Sequence, residues 1–66
     1  MEIVVNGAPR VLPAGQTLAQ LVAALQLDGQ ALALAVNRGV VPRQRWPEVV
    51  LQAQDRVDIV RAIGGG

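Results

Sequence analysis

Neither cysteine nor histidine occurs in these 66 residues. Disulfides are therefore excluded, and a zinc site is left without its usual ligands. A chain this short buries a modest share of its surface and normally leans on such staples. This one has room for a single domain and only apolar packing to hold it. Its apolar share is 52%, made almost entirely of Ala, Val and Leu, with one Trp and no Phe or Tyr.

The apolar residues are patterned. Glu2-Ile3-Val4-Val5-Asn6 is β-branched and ends at Gly7, which reads as a strand and a turn. Gly7-Ala8-Pro9 suits a hairpin loop, Arg10-Val11-Leu12 a returning strand that stops at Pro13. Thr17-Leu18-Ala19-Gln20 fits a capping box, and Leu18, Leu21, Val22 and Leu25 follow at i, i+3, i+4 and i+7. That spacing predicts an amphipathic helix closed by Asp28-Gly29, with Gly29 in the left-handed position beyond its end. Leu32-Ala33-Leu34-Ala35-Val36-Asn37 alternates large and small apolar residues, as a buried strand does. Asn37-Arg38-Gly39 is a turn, Val40-Val41 a short strand, and residues 43–47 are irregular or one helical turn. Residues 49–51 stay ambiguous between loop and strand. Gln54-Asp55 turns the chain into a last strand over residues 56–63. The order strand, strand, helix, strand, short strand, strand predicts an α+β fold of the β-grasp plan. It has a mixed sheet of four to five strands, with one amphipathic helix packed on one face. The domain spans 1–63, and 64–66 form a flexible glycine tail.

Six arginines, at 10, 38, 43, 45, 56 and 61, and no lysine stand against five acids, for a net charge of +1. They are scattered and lack aromatic stacking partners, which argues against nucleic acid. The longest apolar run, residues 31–36, is far too short to cross a bilayer. The first residues show no basic segment followed by an apolar one. A cytoplasmic protein without a membrane segment is the expectation. The inventory of side chains also argues against an enzyme. There is no histidine for acid–base work and no thiol nucleophile, and the only hydroxyl side chain, Thr17, is explained as a cap.

What remains is the close of the sequence, Gly64-Gly65-Gly66. Two readings stand. One is a frayed terminus or an expression remnant. The other is a tail that enters another protein's active site, since glycine threads narrow channels and three extended residues reach about 10 Å. The sheet offers a second feature. If Ile3, Leu34, Val57 and their like face the helix, alternation leaves Val4, Ala33, Ala35, Val60 and Ala62 on the outer face. That face is apolar with small side chains, which suits either a partner or an ordinary mixed surface. Arg61, beside the tail, reads equally as a guide toward an acidic partner or as a solvated strand residue. Trp46 between Arg45 and Pro47 suits a lid over the core edge, and Asn37 suits its turn.

Several segments together resemble the ThiS family of ubiquitin-like sulfur carriers in thiamine biosynthesis, over essentially the whole chain. They are Ala35-Val36-Asn37, Val40-Val41-Pro42-Arg43 with Trp46, Asp55-Arg56-Val57, Ile59-Val60 and the closing Ile63-Gly64-Gly65-Gly66. Gln54-Asp55 stands where the family commonly has Gly-Asp, a change in a turn residue. The resemblance implies that the Gly66 carboxylate is adenylated by a ThiF-type adenylyltransferase, which itself uses Mg-ATP while this chain binds no cofactor. A sulfur donor protein then makes the thiocarboxylate, and the sulfur passes to the thiazole synthase ThiG. Gly64 and Gly65 thread the tail, while Val4, Ala33, Ala35, Val60, Arg61, Ala62 and Ile63 form the partner face and tail base. Two absences agree. Without Cys there can be no side-chain persulfide, and without Lys there is no side-chain amine for isopeptide chains. Alternatives are a carrier of the same fold serving molybdopterin synthesis or tRNA thiolation, or a ubiquitin-like interaction module with an idle tail.

Overall fold

A computed structural model of the chain describes residues 1–61. Ala62, Ile63, Gly64, Gly65 and Gly66 lie outside the described residues, and with them the expected end of the last strand and the tail. The described elements are β1 (Glu2–Val5), β2 (Ala8–Val11), α1 (Leu18–Ala24), β3 (Leu32–Val36), β4 (Gly39–Val41), a 3-10 helix (Arg43–Glu48) and β5 (Arg56–Arg61). The sheet order is β2-β1-β5-β3-β4. β5 runs parallel to β1 and antiparallel to β3, and each hairpin is antiparallel. This mixed sheet with one crossing helix is the β-grasp arrangement that the element order predicted.

The first hairpin is tighter than expected. The turn is Asn6-Gly7, with φ of 50° and 82°, so β2 begins at Ala8 and contains Pro9. Positive φ at both central residues is the two-residue turn that follows the twist of antiparallel strands. Pro9 is tolerated for a definable reason. Its partner Val4 sends its N–H to the Asp55 carbonyl on the other flank (2.9 Å). The Val4–Pro9 pair therefore exchanges no hydrogen bonds, and the missing proline N–H falls on the outer edge of an edge strand.

The capping box is present as predicted: Thr17 Oγ1 accepts from the Gln20 amide (3.2 Å), and Gln20 Oε1 accepts from the Thr17 amide (2.8 Å). A further free amide of the first turn, that of Leu18, is satisfied by the Val49 carbonyl (2.8 Å). The Leu51 amide returns a bond to Gln16 O (2.9 Å). The undecided residues 49–51 are thus an extended strip laced to the helix start, with a single bridge between Thr17 and Val50.

The far end of α1 corrects the sequence reading. The helix stops at Ala24, and Gln26, at φ 59°, takes the left-handed position assigned to Gly29. Gln26 N–H bonds Ala23 O and Leu27 N–H bonds Val22 O, both at 3.0 Å, which is a complete Schellman motif. Leu27 decides the outcome. It is half-buried against the core, and stopping the helix here turns it inward. Gly29 also has positive φ, 84°, but in the turn that follows.

The buried cluster is Ile3, Leu12, Leu18, Leu21, Val22, Leu34, Trp46, Leu51 and Val57, and among the described residues no polar residue is buried as a whole, although the Gln16 Oε1 atom is. Three of the four predicted stripe residues are in it, and Leu25 packs on its margin. No described helix is long and apolar enough to cross a membrane.

Replacing Gln26 by Gly relieves the cost of a β-carbon at positive φ, and the gain is partly offset by a looser unfolded chain. Gln26→Gly is expected to raise stability by about 0.5–1 kcal/mol in urea unfolding. A loss would mean that the Gln26 side chain, not its backbone angle, matters.

Candidate functional site

Strand alternation fixes what each face of the sheet presents. On β5, Val57 is fully buried toward the helix and Ile59 packs on the core margin, so Arg56, Asp58 and Val60 turn outward. The register then places Ala33 directly opposite Val60, Ala35 opposite Asp58, and Val40 of β4 opposite Ala35. Val60 is 62% exposed and Val40 79%. Ala33, Ala35, Val40 and Val60 therefore make one outward apolar patch across β4, β3 and β5, beside the end of β5 that leads to Ala62.

Not every residue singled out from the sequence belongs to it. Val4 is on the outer face, but it is level with Arg56, four residues or about 13 Å back along β5 from Val60. The Arg56–Asp58 ion pair (3.8 Å) lies between them and is solvent-exposed, so it adds little stability. Arg61 has the parity of Val57 and Ile59. It faces the helix side opposite Leu32, is exposed, and sits at the base of the tail without joining the patch. Ala62 and Ile63 lie outside the described residues. Val40 was missed, although its alternation with Val41 could have shown it.

The remaining conspicuous residues are occupied with structure. Trp46 is buried and donates its indole N–H to Val41 O (2.9 Å), which makes it the lid its position suggested. The Arg43 guanidinium lies 4.7 Å from the Trp46 ring centroid and donates to Gln30 O, tying the loop before β3 to the 3-10 helix. Asn37 does more than turn the chain. Its amide group donates to Asp55 Oδ1 (3.0 Å) and accepts from the Arg56 amide (2.9 Å), while Asp55 Oδ2 accepts from the Gln52 amide (2.7 Å). The sequence placed Asn37 and Asp55 in separate turns, and only the fold brings these turns together.

A cleft of about 220 Å³ lies beside β4, lined by Val40, Val41, Pro42, Arg45 and Val49. It is smaller than the roughly 300–1,000 Å³ of typical small-molecule sites, and Arg45 is its one charged group. Among the described residues no three potential metal ligands come together. The arrangement has an outward apolar patch and a strand leading away from it, with no cluster of reactive side chains among the described residues.

The ThiS family model matches residues 3–66. The sulfur carrier protein ThiS of Escherichia coli is 33% identical over 66 residues, which is the whole of both chains. A thiazole synthase of Magnetococcus marinus is 39% identical, and one of Paramagnetospirillum magneticum 33%, each over all 66 residues. The chain spans only 20% of the length of each of these two synthases. In structure, the chain matches the crystal structure of the thiamine biosynthesis protein ThiS from Geobacter metallireducens with a TM-score of 0.86. The identity is 23%, over the full length of both chains. A solution structure of a thiamine biosynthesis protein from the same organism gives 0.78, with 88% of that chain covered. At such identity the likeness establishes the ubiquitin-like β-grasp fold.

Asn37→Gly keeps the positive φ of the turn and severs both side-chain bonds. A stability loss of about 1–2 kcal/mol by chemical denaturation is expected. No change would mean that the Asn37–Asp55 link is idle in solution.

Proposed function

The chain belongs to the ThiS family, and on that premise we propose that it is a sulfur carrier for thiazole formation in thiamine biosynthesis, with the Gly66 carboxylate as its working group. It is a protein co-substrate and not a catalyst. The single observation that carries this reading is the end-to-end match to the E. coli sulfur carrier, within a family match that runs through Gly66. Likeness to two thiazole synthases favours a synthase of that kind as sulfur acceptor over molybdopterin or tRNA pathways.

The chemistry follows from the weakness of a carboxylate as an electrophile. In the proposed sequence the Gly66 carboxylate attacks the α-phosphorus of ATP in a ThiF-type enzyme, and pyrophosphate leaves. The resulting mixed anhydride has AMP as leaving group, so a sulfur nucleophile from a donor protein can attack the acyl carbon and expel it. With a donor persulfide as that nucleophile the product is an acyl disulfide, and a thiol then attacks its donor-side sulfur, forming a disulfide and releasing the thiocarboxylate for ThiG. Mg²⁺ with the ATP offsets phosphate charge and belongs to the activating partner. This chain's own contributions are two. Gly64 and Gly65 let the backbone pass a narrow channel at any dihedral angle. The patch of Ala33, Ala35, Val40 and Val60, with the tail base at Arg61, Ala62 and Ile63, docks the body so that the carboxylate arrives in place.

Deleting Gly66 is expected to leave the thermal melt unchanged and to abolish pyrophosphate release with the activating enzyme. Continued release from the shortened protein would refute the carrier reading. Intact mass spectrometry after incubation with activating enzyme and sulfur donor should show one oxygen exchanged for sulfur at Gly66. Val60→Asp tests the patch: KM for the chain should rise about tenfold or more while the melt stays put, because a charge at an exposed site burdens docking and not folding. An unchanged KM would remove the patch from the interface.

A further inference from the structure

We propose that Asn6 is a positioning residue for the segment that carries Gly66, holding the end of β5 to which that segment is joined. The inference rests on the carrier reading for its functional meaning and on hydrogen-bond geometry for its existence.

Pairing of β1 with β5 ends at Val5 and Val57, because the Asn6-Gly7 turn diverts β1 into β2. β5 continues to Arg61. The Asn6 amide bonds Val57 O (2.9 Å), so Val57 and Ile59 direct their backbone groups to the β1 flank. The next N–H on that flank, Ile59, comes where β1 no longer runs. Asn6 Oδ1 accepts it at 2.7 Å, joining residues 53 apart. The side chain stands in for the strand residue that is missing.

Past this point β5 keeps β3 on its other flank, through Ile59–Leu34, Val60–Ala33 and Arg61–Leu32. The Asn6 bond is the last tie from the β1 hairpin before the strand leads to Ala62. Without it the described end of β5 past Ile59 is held from the β3 side alone. This end, the root of the segment beyond, also carries Val60, the β5 member of the patch, so fraying there would loosen the carboxylate's path and the docking surface together. A frayed root must be re-formed on docking, which lowers apparent affinity in proportion to the competent fraction. The bound complex is then the same, so the chemical step is unaffected.

Asn6 can be tested cleanly because its backbone, at φ 50°, suits glycine. Asn6→Gly keeps the turn and removes the acceptor. Asn6→Asp keeps an acceptor at the same reach. Asn37→Gly is the control for mere stability, since it severs ties to Asp55 and Arg56 at the opposite end of β5. Pyrophosphate release by the activating enzyme is measured with the chain as varied substrate, alongside amide hydrogen exchange. For Asn6→Gly, KM is expected to rise about three- to tenfold, which corresponds to a root formed in roughly a third to a tenth of the variant molecules, with kcat unchanged and exchange accelerated at Ile59. Asn6→Asp should restore most of the KM, and Asn37→Gly should lose stability with KM unchanged. An unchanged KM in Asn6→Gly, unaccelerated Ile59 exchange, or an equal rise in Asn37→Gly overturns the role of Asn6. No release from the wild-type chain overturns the carrier reading instead, and Ile59 exchange still judges the anchor.

Discussion

Everything in this sheet depends on β5 seating itself between two hairpins. Each hairpin is local, and an isolated two-stranded hairpin is marginal in water. β5 joins them, parallel to β1 on one side and antiparallel to β3 on the other. The parallel pairing closes a loop of some fifty residues, an entropic cost that comes before its contacts are made. The two hairpin turns help to meet it. Both place an asparagine at φ 50°, and both asparagines reach β5 with their side chains, Asn6 at Ile59 and Asn37 at Arg56. Asparagine suits the role because it tolerates the left-handed conformation and carries an acceptor of the right length. One residue type thus makes the turn and fastens the strand.

The same alternation that builds the core leaves the outer patch. Large residues at Leu34, Val57 and Ile3 are fully or nearly fully buried under the helix, which a chain without disulfides needs. Their neighbours Ala33, Ala35 and Val60 must then face outward. A sheet could carry polar residues there, and β5 does carry Arg56 and Asp58. On β5 itself the outward apolar residue is Val60, near Ala62 and opposite Ala33, while Val4, Pro9 and Val11 form a separate apolar stretch across β1 and β2.

Much of this fold was legible in the sequence. The capping box, the helix stripe, the order of elements along the chain and the Trp46 lid follow from short-range patterns, which spacing reports well. What was not legible involves competition between local signals or contact across the chain. Pro9 suggested a loop, but the Asn6-Gly7 turn claimed the hairpin and put the proline at a silent edge position. Gly29 suggested a helix end, but burial of Leu27 ended the helix earlier and forced Gln26 into positive φ. Leu51 joined the core through ties to Gln16 that no periodicity announces. At the candidate site, Val60, Ala33 and Ala35 came from alternation, whereas the role proposed for Gly66 came from family resemblance. A residue whose main chain is its working part leaves no chemical signature in composition.

The size of the patch bears on how a carrier works. Full burial of a valine side chain is worth about 1.5–3 kcal/mol, and the alanines add less. Two valines and two alanines therefore supply a few kcal/mol, against association costs of at least about 4 kcal/mol. A surface of this kind cannot hold a partner by itself for long. That suits the proposed carrier, which would have to leave an activating enzyme in order to reach a synthase, since weak docking shows chiefly as fast dissociation. The surplus that makes each encounter productive would have to come from the segment beyond Arg61 filling its channel. On the proposed reading the rigidity of its root, held by β3 on one flank and by the Asn6 side chain on the other, matters more than the strength of any single contact on the sheet.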